Sequence, residues 1–292
     1  MTLGSVRCGF LPAGLRRSFP IRRTFRGAAA SWSRPVAIEG FTDMSARTLT
    51  FVLVPGAYQG GWSWQPVAHR LRAAGHHAVT LTLPGLADGD PRTGWHLSDA
   101  IDHVVTEVER RDLYDVVLVA QSWGGYPVTG AAHRLLARIA AVVYHNAIVP
   151  ARGVPLIDEN QDYRAMLHAA IKAAPDGSVA VTPDQTPLLA PEWDDQARQF
   201  LYELLVPQPG AYYTEALDVA PVTELGLPVA YIASENDLVL ARPGSEYAAR
   251  LGVSPFMVPG GHESMLTRPD EVSAALIAVS EKTAANSQSP GI

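Results

Sequence analysis

The segment Asp115-Val-Val-Leu-Val-Ala-Gln-Ser-Trp-Gly-Gly125 decides the fold of this chain of 292 residues. It begins as an apolar, β-rich run, passes through Ser122 and two glycines, and continues into residues with a helical pattern. Ala120 and Gly124 lie two residues on either side of the serine, which is the small-x-Ser-x-small pattern of a nucleophile elbow. We interpret Ser122 as a nucleophile on a strained strand-to-helix turn, and the alternative is an ordinary turn with a capping serine.

Outward from this elbow, short apolar runs alternate with helical patterns. Strands are predicted at Thr48–Val54, His77–Leu83, Asp115–Ala120, Ile139–Ala147, Val229–Ala233 and Pro255–Val258. Helices are predicted near Gln65–Ala74, from a cap at Ser98 or Asp99 to Arg111, after Gly125 to Ala137, near Ser245–Leu251, and from Pro269 to Thr283. This alternation predicts an α/β fold with a roughly six-stranded, mainly parallel sheet flanked by helices.

Residues 150–221, which we call the insertion, interrupt this alternation. They are rich in Pro, Tyr, Trp and Leu, and only Gln161–Ala174 and Asp194–Leu205 have helical patterns. An insertion between two sheet strands, on the side where such folds bind ligands, predicts a helical lid. The predicted divisions are a basic, disordered leader, a core in two parts, a lid and a flexible tail: residues 1–46, 47–149 with 222–283, 150–221 and 284–292.

The leader is basic: residues 1–43 hold seven arginines against two acidic residues, and they contain Cys8, the only cysteine. The pairs Arg16-Arg17 and Arg22-Arg23 are similar to a twin-arginine signal, but the apolar stretch that should follow is missing. We therefore predict a disordered extension, or a true start at Met44, and a cytoplasmic protein; a transit peptide is the alternative. A single thiol forms no internal disulfide.

Composition excludes several classes of partner. The chain is 47% hydrophobic and 18% charged, with a net charge of −6, which disfavours nucleic acids and anionic membranes. No apolar run reaches the ~20 residues that cross a bilayer. The spacings of phosphate-binding loops and of metal-ligating clusters are missing, so we expect a small-molecule substrate, no cofactor and no metal. The sequence does not predict the oligomeric state.

The base and its orienting acid are predicted from their places after strands. His262 follows the last strand in Pro259-Gly-Gly-His262, and a histidine on that loop reaches across the sheet to Ser122. Asp237 follows the fifth predicted strand, 25 residues before the histidine, and is the predicted acid. Glu235 lies two residues closer to the strand and is the alternative. The order serine, acid, histidine is the order of the α/β-hydrolase fold.

Backbone N–H groups near the serine are predicted to form an oxyanion hole. That of Trp123 lies at the start of the helix after the elbow, and that of Ala57 lies in the glycine-rich loop after the first strand. Aromatic and imidazole side chains near the predicted site are candidates for the substrate pocket: Tyr58, Trp62, His145, Trp193, Tyr202 and Tyr213. Together with Trp123 they indicate an apolar or aromatic substrate group, and packing of the insertion is the alternative.

These motifs resemble one branch of the α/β-hydrolase superfamily, which contains plant methyl-ester esterases, α-hydroxynitrile lyases and bacterial pyrethroid-hydrolase-like esterases. The resemblance covers about residues 48–280 and rests on the loop Gly56–Trp64, Leu81-Thr-Leu-Pro-Gly85, the elbow at Ser122, Tyr144-His-Asn-Ala-Ile-Val-Pro150, Asp237 and Pro259-Gly-Gly-His262. It implies a six-stranded sheet with a helical lid. The family usually has His-Gly where this chain has Pro55-Gly56. Its lyases carry a lysine at the position of Glu263, which speaks against cyanohydrin chemistry.

The leading hypothesis is a serine esterase or lactonase, in which the substrate acylates Ser122 and water activated by His262 releases the acid. A lyase, or a cyclase or condensing enzyme of specialised metabolism, would keep the same residues and is the second hypothesis. The third is a binding protein without turnover, and it is disfavoured because Ser122, Asp237 and His262 are all present.

Overall fold

The structure of the protein is a computed structural model that describes residues 48–287, without the side chains of residues 162, 163 and 283–287. The predictions about the leader, including Cys8 and both arginine pairs, lie outside these residues, as does the end of the predicted tail. The division into domains and the cytoplasmic location stay predictions.

Within residues 48–287, six strands form one sheet: β1 (Thr50–Val54), β2 (His77–Thr80), β3 (Val116–Ser122), β4 (Ile139–Ala147), β5 (Val229–Ser234) and β6 (Phe256–Val258). Their order across the sheet is β2-β1-β3-β4-β5-β6, and all neighbouring strands are parallel. The predicted α/β fold with a six-stranded parallel sheet is confirmed. Because the strands are parallel, their carboxyl ends meet at one edge, where ligands bind in open α/β sheets.

Helices cover both faces of this sheet. They are α1 (Gln65–Ala73), α2 (Leu97–Arg110), α3 (Gly125–Arg134), α4 (Gln161–Ala173), α5 (Thr186–Leu189), α6 (Asp195–Leu204), α7 (Ala211–Thr214), α8 (Gly244–Arg250), α9 (Ser264–Thr267) and α10 (Pro269–Ser287). Helices α4 to α7 belong to the insertion, which lies between β4 and β5 in the chain. None of the helices in the described part of the chain combines the length and the apolar character needed to cross a membrane.

The start of α2 differs from its prediction. Its first residue is Leu97, so the capping position is His96 rather than Ser98 or Asp99. Asp99 takes the third helical position, where its carboxylate accepts a hydrogen bond from the backbone N–H of His96 at 2.8 Å. An acidic residue in the first turn also interacts favourably with the helix dipole, so Asp99 stabilises the helix from inside it.

Two elements run further than predicted. Strand β3 ends at Ser122 and not at Ala120, because the backbone pairing with β4 continues up to the serine itself. Helix α10 ends at Ser287 and not near Thr283, since no glycine or proline occurs before Ser287 to stop it.

The side chains of the central strands alternate between two apolar cores. On β3, Leu118 and Ala120 pack on the side of α2 and α3, whereas Val117 and Val119 pack on the side of α1 and α10. All four are buried, which explains why the strand is a continuous apolar run rather than an alternating one. Burial of such side chains contributes roughly 1.5–3 kcal/mol for each large aliphatic group, so the sheet fixes the strand ends firmly.

Close backbone packing fixes the start of α3 after the elbow. A Cβ atom added to Gly125 would lie 1.8 Å from the backbone oxygen of Ile148, which follows β4. One added to Gly124 would lie 2.6 Å from the backbone oxygen of Pro55, which follows β1. Neither neighbour is the end of a flexible side chain, so the two glycines of the motif are required by contact with the ends of two strands.

We expect Gly125→Ala to lower the free energy of unfolding by about 3 kcal/mol, because the new methyl group overlaps a backbone oxygen that cannot move alone. Urea unfolding followed by circular dichroism measures this change. Gly130→Ala, in the same helix, is the control: its Cβ would meet the flexible end of Ile101, and helix propensity favours alanine. Its effect should stay within about 1 kcal/mol, and equal losses in the two variants would contradict the prediction.

Candidate active site

Ser122 has a left-handed backbone, with a φ of 51°, at the carboxyl end of β3. The pairing with β4 shifts at this point: Gln121 pairs with His145, Ser122 pairs with Ala147, and Asn146 is passed over. Asn146 also has a positive φ, of 43°. A non-glycine residue adopts this conformation at a cost on the order of 1–3 kcal/mol and only when the surroundings hold it, which is typical of functional sites. The predicted strained elbow is therefore present at Ser122.

The loop after β1 packs directly on the serine. A Cβ atom on Gly56 would lie 2.7 Å from the Cβ of Ser122 and 2.2 Å from the side-chain oxygen of Gln121. Only glycine fits there, and the close approach brings the next residue, Ala57, to the cavity that Ser122 and Trp123 also line. Among the described residues, the backbone N–H groups of Ala57 and Trp123 have no recorded protein acceptor. They stay the predicted oxyanion-hole donors.

His262 is paired with Asp237. The Nδ1 of the imidazole and the Oδ2 of the carboxylate are 2.9 Å apart, and both side chains are buried. Glu235, the alternative acid, is exposed to solvent. The fold thus brings Asp237, and not Glu235, to the histidine.

The two partners shift each other's pKa in the direction that catalysis by a histidine base requires. Burial lowers the pKa of His262, but the charge of Asp237 and the hydrogen bond with it raise this pKa by more, so that it lies above its ordinary value. Burial raises the pKa of Asp237, but His262 and the backbone N–H groups of Val239 and Leu240 lower it by more. The carboxylate therefore stays ionised beside the ring.

The backbone of His262 is fixed by the ends of two strands. Gln121 and Asn146 both donate a side-chain hydrogen bond to the His262 carbonyl oxygen, at 3.4 and 3.2 Å. Within the described residues no hydrogen bond is recorded between Ser122 and His262. Such contacts are often long in a free enzyme and tighten only when substrate binds.

Asn146 is a positioning residue that sequence reasoning missed. Besides its bond to His262, its amide donates to the Ser234 hydroxyl at 2.8 Å and its oxygen accepts the Ser234 N–H at 2.7 Å. It therefore ties the ends of β4 and β5 to the histidine loop. The available signal was an asparagine at the end of an apolar strand, because asparagine tolerates the left-handed conformation better than most residues.

A cavity of about 140 Å³ lies over Ser122. Its wall is mainly aliphatic, and much of it comes from the insertion: Leu156, Met166, Leu167, Val181, Leu188 and Leu189. The loop after Asp237 supplies another part through Leu238, Val239 and Leu240. Ser122 therefore opens into an apolar cavity. The buried His262–Asp237 pair is joined to the neighbouring residue, Gln121, through the backbone of His262.

Residues 51–275 match the model of a protein family described as the alpha/beta hydrolase family. The chain belongs to this family. The matched range contains Ser122, Asp237 and His262, together with the whole insertion.

Two curated relatives are esterases by name. The chain is 39% identical over 109 residues to a carbendazim hydrolyzing esterase from Nocardioides sp. (strain SG-4G). The aligned part covers 37% of this chain and 45% of that protein. It is 33% identical over 113 residues to methyl jasmonate esterase 1 from Vitis vinifera, and this aligned part covers 37% of this chain and 42% of that protein. The chain thus covers less than half the length of each relative. The resemblance to the esterase branch of the superfamily is confirmed.

A solved structure of the same fold covers most of the chain. It is an extracellular alpha/beta-hydrolase from a Paenibacillus species, described as sharing structural and functional homology with tobacco salicylic acid binding protein 2. The TM-score is 0.73 at 22% identity, over 79% of this chain and 98% of that one. At this identity the likeness shows the shared fold.

Two of the six predicted pocket residues of this α/β hydrolase line the cavity over Ser122, namely Tyr58 and Tyr213. Trp62 and Trp193 do not; they pack against a small apolar cluster built around Ala190 and Leu201. Tyr202 lines a separate cavity on the insertion. These three side chains lie outside the wall of the cavity over Ser122. The sequence did not show this, because the type of a residue does not show which side of an irregular segment faces the serine.

His145, the remaining predicted pocket residue, is fully buried and does not line the cavity. Its Nε2 lies 2.9 Å from the Ser264 hydroxyl, and its ring packs edge-on against Trp64 at 5.7 Å between centroids. Burial lowers the pKa of His145 to about 3, so the ring stays neutral and supports the histidine loop from below.

Glu263, next to the histidine, joins two loops of the site. It is fully buried, and its Oε1 accepts a hydrogen bond from the Gln59 amide at 2.6 Å. Burial raises the pKa of Glu263 to about 7, although the nearby charge of His262 lowers it. The Gln59–Glu263 pair links the loop after β1 directly to the histidine loop.

We expect Asp237→Asn to lower the pKa of His262, because the removal of the carboxylate leaves burial as the main influence on the ring. Titration of the imidazole followed by ¹H–¹⁵N NMR measures this pKa. The matched control is Glu235→Gln, which removes an exposed carboxylate of the same loop and should leave the titration unchanged. A shifted pKa of His262 in the control, or an unchanged one in Asp237→Asn, would show that Asp237 is not the orienting acid.

Proposed function

We propose that the protein is a serine hydrolase that cleaves a carboxylic ester or lactone of a small, apolar molecule. The observations that carry this proposal are a left-handed serine, Ser122, that opens into an apolar cavity, and a buried His262–Asp237 pair whose loop is bonded to Gln121, the residue before the serine. The similarity to named esterases supports the same class of reaction. In this proposal the protein acts on small molecules in the cytoplasm.

In the first half of the reaction His262 takes the proton of the Ser122 hydroxyl as its oxygen bonds to the ester carbonyl carbon. The carbonyl oxygen becomes an oxyanion, to which the N–H groups of Ala57 and Trp123 donate. The C–O bond to the leaving group then breaks, and the imidazolium returns its proton to the departing alkoxide. The products are an alcohol and an acyl-Ser122 ester.

In the second half water replaces the alcohol. His262 removes a proton from the water as it attacks the acyl carbon, and the proton then passes to the Ser122 oxygen when the acid leaves. Asp237 keeps its charge throughout, because it holds the ring tautomer and stabilises the imidazolium. In a lactone, the alcohol and the acid are two ends of one product.

The insertion acts as a lid in this proposal. It supplies Leu156, Leu167 and Leu188 to the wall of the cavity that Ser122 also lines. An apolar cover excludes bulk water and strengthens the electrostatic interactions on the developing oxyanion.

The cavity favours an aliphatic group over an aromatic one. The ring of Trp123 is fully buried and stacks on Tyr212 at 4.5 Å, and its indole N–H donates to the Tyr212 carbonyl oxygen. The aromatic residue next to the serine is therefore used for packing. Three aliphatic side chains of the wall are largely exposed: Met166 at 48%, Leu188 at 45% and Leu238 at 60%. In this proposal an acyl or alkyl chain of the substrate that is longer than the cavity extends over these three side chains.

We expect Ser122→Ala to lose both the hydrolysis of short aryl esters and the labelling by a fluorophosphonate probe, because both require the serine oxygen as nucleophile. Ester release is followed by absorbance and labelling by gel fluorescence, with circular dichroism as the check that the variant folds. Labelling of the native protein without ester turnover would favour a lyase, a cyclase or a condensing enzyme. A native protein that shows neither labelling nor ester turnover would contradict the proposal.

The length of the substrate's acyl chain tests the role of the exposed aliphatic side chains Met166 and Leu238. We expect Met166→Gln and Leu238→Gln to lower kcat/KM for aryl octanoate about three- to tenfold, since each removes apolar contact from a long acyl or alkyl chain. The value for aryl acetate should stay within about twofold. Phe200→Gln is the matched control, because Phe200 is an exposed apolar residue of the insertion outside the cavity wall. Equal losses of kcat/KM with both esters would contradict a contact between these aliphatic side chains and a long substrate chain.

A further inference from the structure

The insertion contacts the loop that carries the histidine on both sides of His262. The backbone N–H of Gly261 donates to the Oε1 of Glu192 at 3.1 Å. The backbone N–H of Glu263 donates to the carbonyl oxygen of Leu189 at 3.0 Å. One segment of the insertion, residues 189–192, which we call the brace, therefore holds the residue before the histidine and the residue after it.

The glycine pair in Pro259-Gly-Gly-His262 makes this contact possible. A Cβ atom on Gly261 would lie 2.5 Å from Pro191, and one on Gly260 would lie 2.9 Å from the Glu192 carboxylate. Gly260 also has a φ of 103°, which side chains rarely adopt. The motif is thus shaped by the approach of the brace.

The brace has further anchors at Glu192 and in its middle. Glu192 Oε1 also accepts a hydrogen bond from the Thr267 hydroxyl in α9, so one carboxylate oxygen joins two points of the core. On the other side, the Arg198 guanidinium in α6 donates to the carbonyl oxygens of Ala190 and Pro191, at 3.2 and 2.8 Å. The brace is therefore fixed to α9 of the core and to α6 of the insertion.

A second segment of the insertion holds the loop that carries Ala57. Tyr58 has a positive φ of 69°, its N–H donates to the Gln208 side-chain oxygen at 3.2 Å, and its carbonyl oxygen accepts the Val206 N–H at 3.0 Å. The Gln59–Glu263 hydrogen bond then joins this loop to the histidine loop. Both loops of the catalytic centre thus rest on the insertion as well as on the sheet.

We propose that Glu192 is a positioning residue of the catalytic centre, through which the insertion holds the Gly261 N–H and so directs His262 toward Ser122. The proposal rests on the proposed serine-hydrolase function. Through these contacts the insertion is part of the catalytic frame as well as the wall of the cavity. Loss of the Glu192 acceptor lets the loop shift, and a shift of about 1 Å in a reacting group can cost on the order of 100-fold in rate.

Two variants of Glu192 separate its geometry from its charge. Glu192→Ala removes the acceptor, and we expect it to slow both fluorophosphonate labelling of Ser122 and kcat for aryl hexanoate by tenfold or more, with KM within about twofold. Glu192→Gln keeps an oxygen that accepts both hydrogen bonds, and should stay within about threefold of the native rates. Glu203→Ala, which removes an exposed glutamate of α6, is the control and should leave both rates unchanged.

The pH profile supplies a readout that loss of stability alone does not move. A histidine base acts when it is neutral, and its contact with Asp237 raises its pKa. If the loop loosens in Glu192→Ala, the contact weakens, the pKa of His262 falls, and the acidic limb of kcat/KM moves to lower pH. The charge of Glu192 also raises the pKa of the buried Glu263, and both variants remove that charge. The shift of Glu192→Ala relative to Glu192→Gln therefore reports the loosened loop.

The outcomes separate this inference from the proposed function. A native protein that is not labelled would contradict the serine-hydrolase proposal itself. A labelled native protein, with Glu192→Ala labelled at the native rate and with the pH profile of Glu192→Gln, would overturn the brace alone. Equal losses in Glu192→Gln and Glu192→Ala would also overturn it, because the acceptor oxygen is kept in the first. If Glu192→Ala does not fold, Glu192→Asp, whose shorter side chain withdraws the acceptor, takes its place with the same expected losses.

Discussion

The left-handed backbone of Ser122, at the end of a strand whose other residues are all buried, is held by the close approach of three glycines. Gly56 packs on the serine from the end of β1, and Gly124 and Gly125 bring the start of α3 against the ends of β1 and β4. A side chain at any of these glycines would separate the strand ends from the helix. The position of the serine hydroxyl therefore follows from the path of the chain through the sheet, before any other catalytic side chain is placed.

The second constraint is a buried carboxylate. An unpaired carboxylate in this position would be strongly destabilising, and Asp237 is compensated by His262 and by the backbone N–H groups of Val239 and Leu240. The same Val239 and Leu240 present their side chains to the cavity. One short loop thus stabilises the ionised carboxylate with its backbone and lines the cavity with its side chains, so the electrostatics and the apolar wall cannot vary independently.

Local patterns in the sequence were sufficient for the sheet, the elbow at Ser122 and the histidine after the last strand, because each depends on neighbouring residues and on strand order. The choice between Asp237 and Glu235 required the fold, since only the path of the loop decides which carboxylate turns inward. For the same reason the sequence did not show which of the predicted pocket side chains would line the cavity. His145 lies on a regular strand, yet its sequence does not show that its face of the sheet is the one covered by α1 and α10, away from the cavity.

The two kinds of contact made by the insertion give it two different tolerances to change. Met166 and Leu188 are exposed at the mouth of the cavity, so successive substitutions there can alter which molecules enter while the fold persists. Residues 189–192 and 206–208 touch the backbone of the catalytic loops, and the core has glycines shaped to receive them. Divergence of substrate preference among descendants of such a protein is therefore easiest by point substitution at the mouth. Recombination that swaps the whole insertion brings in a segment for which the host glycines were not selected.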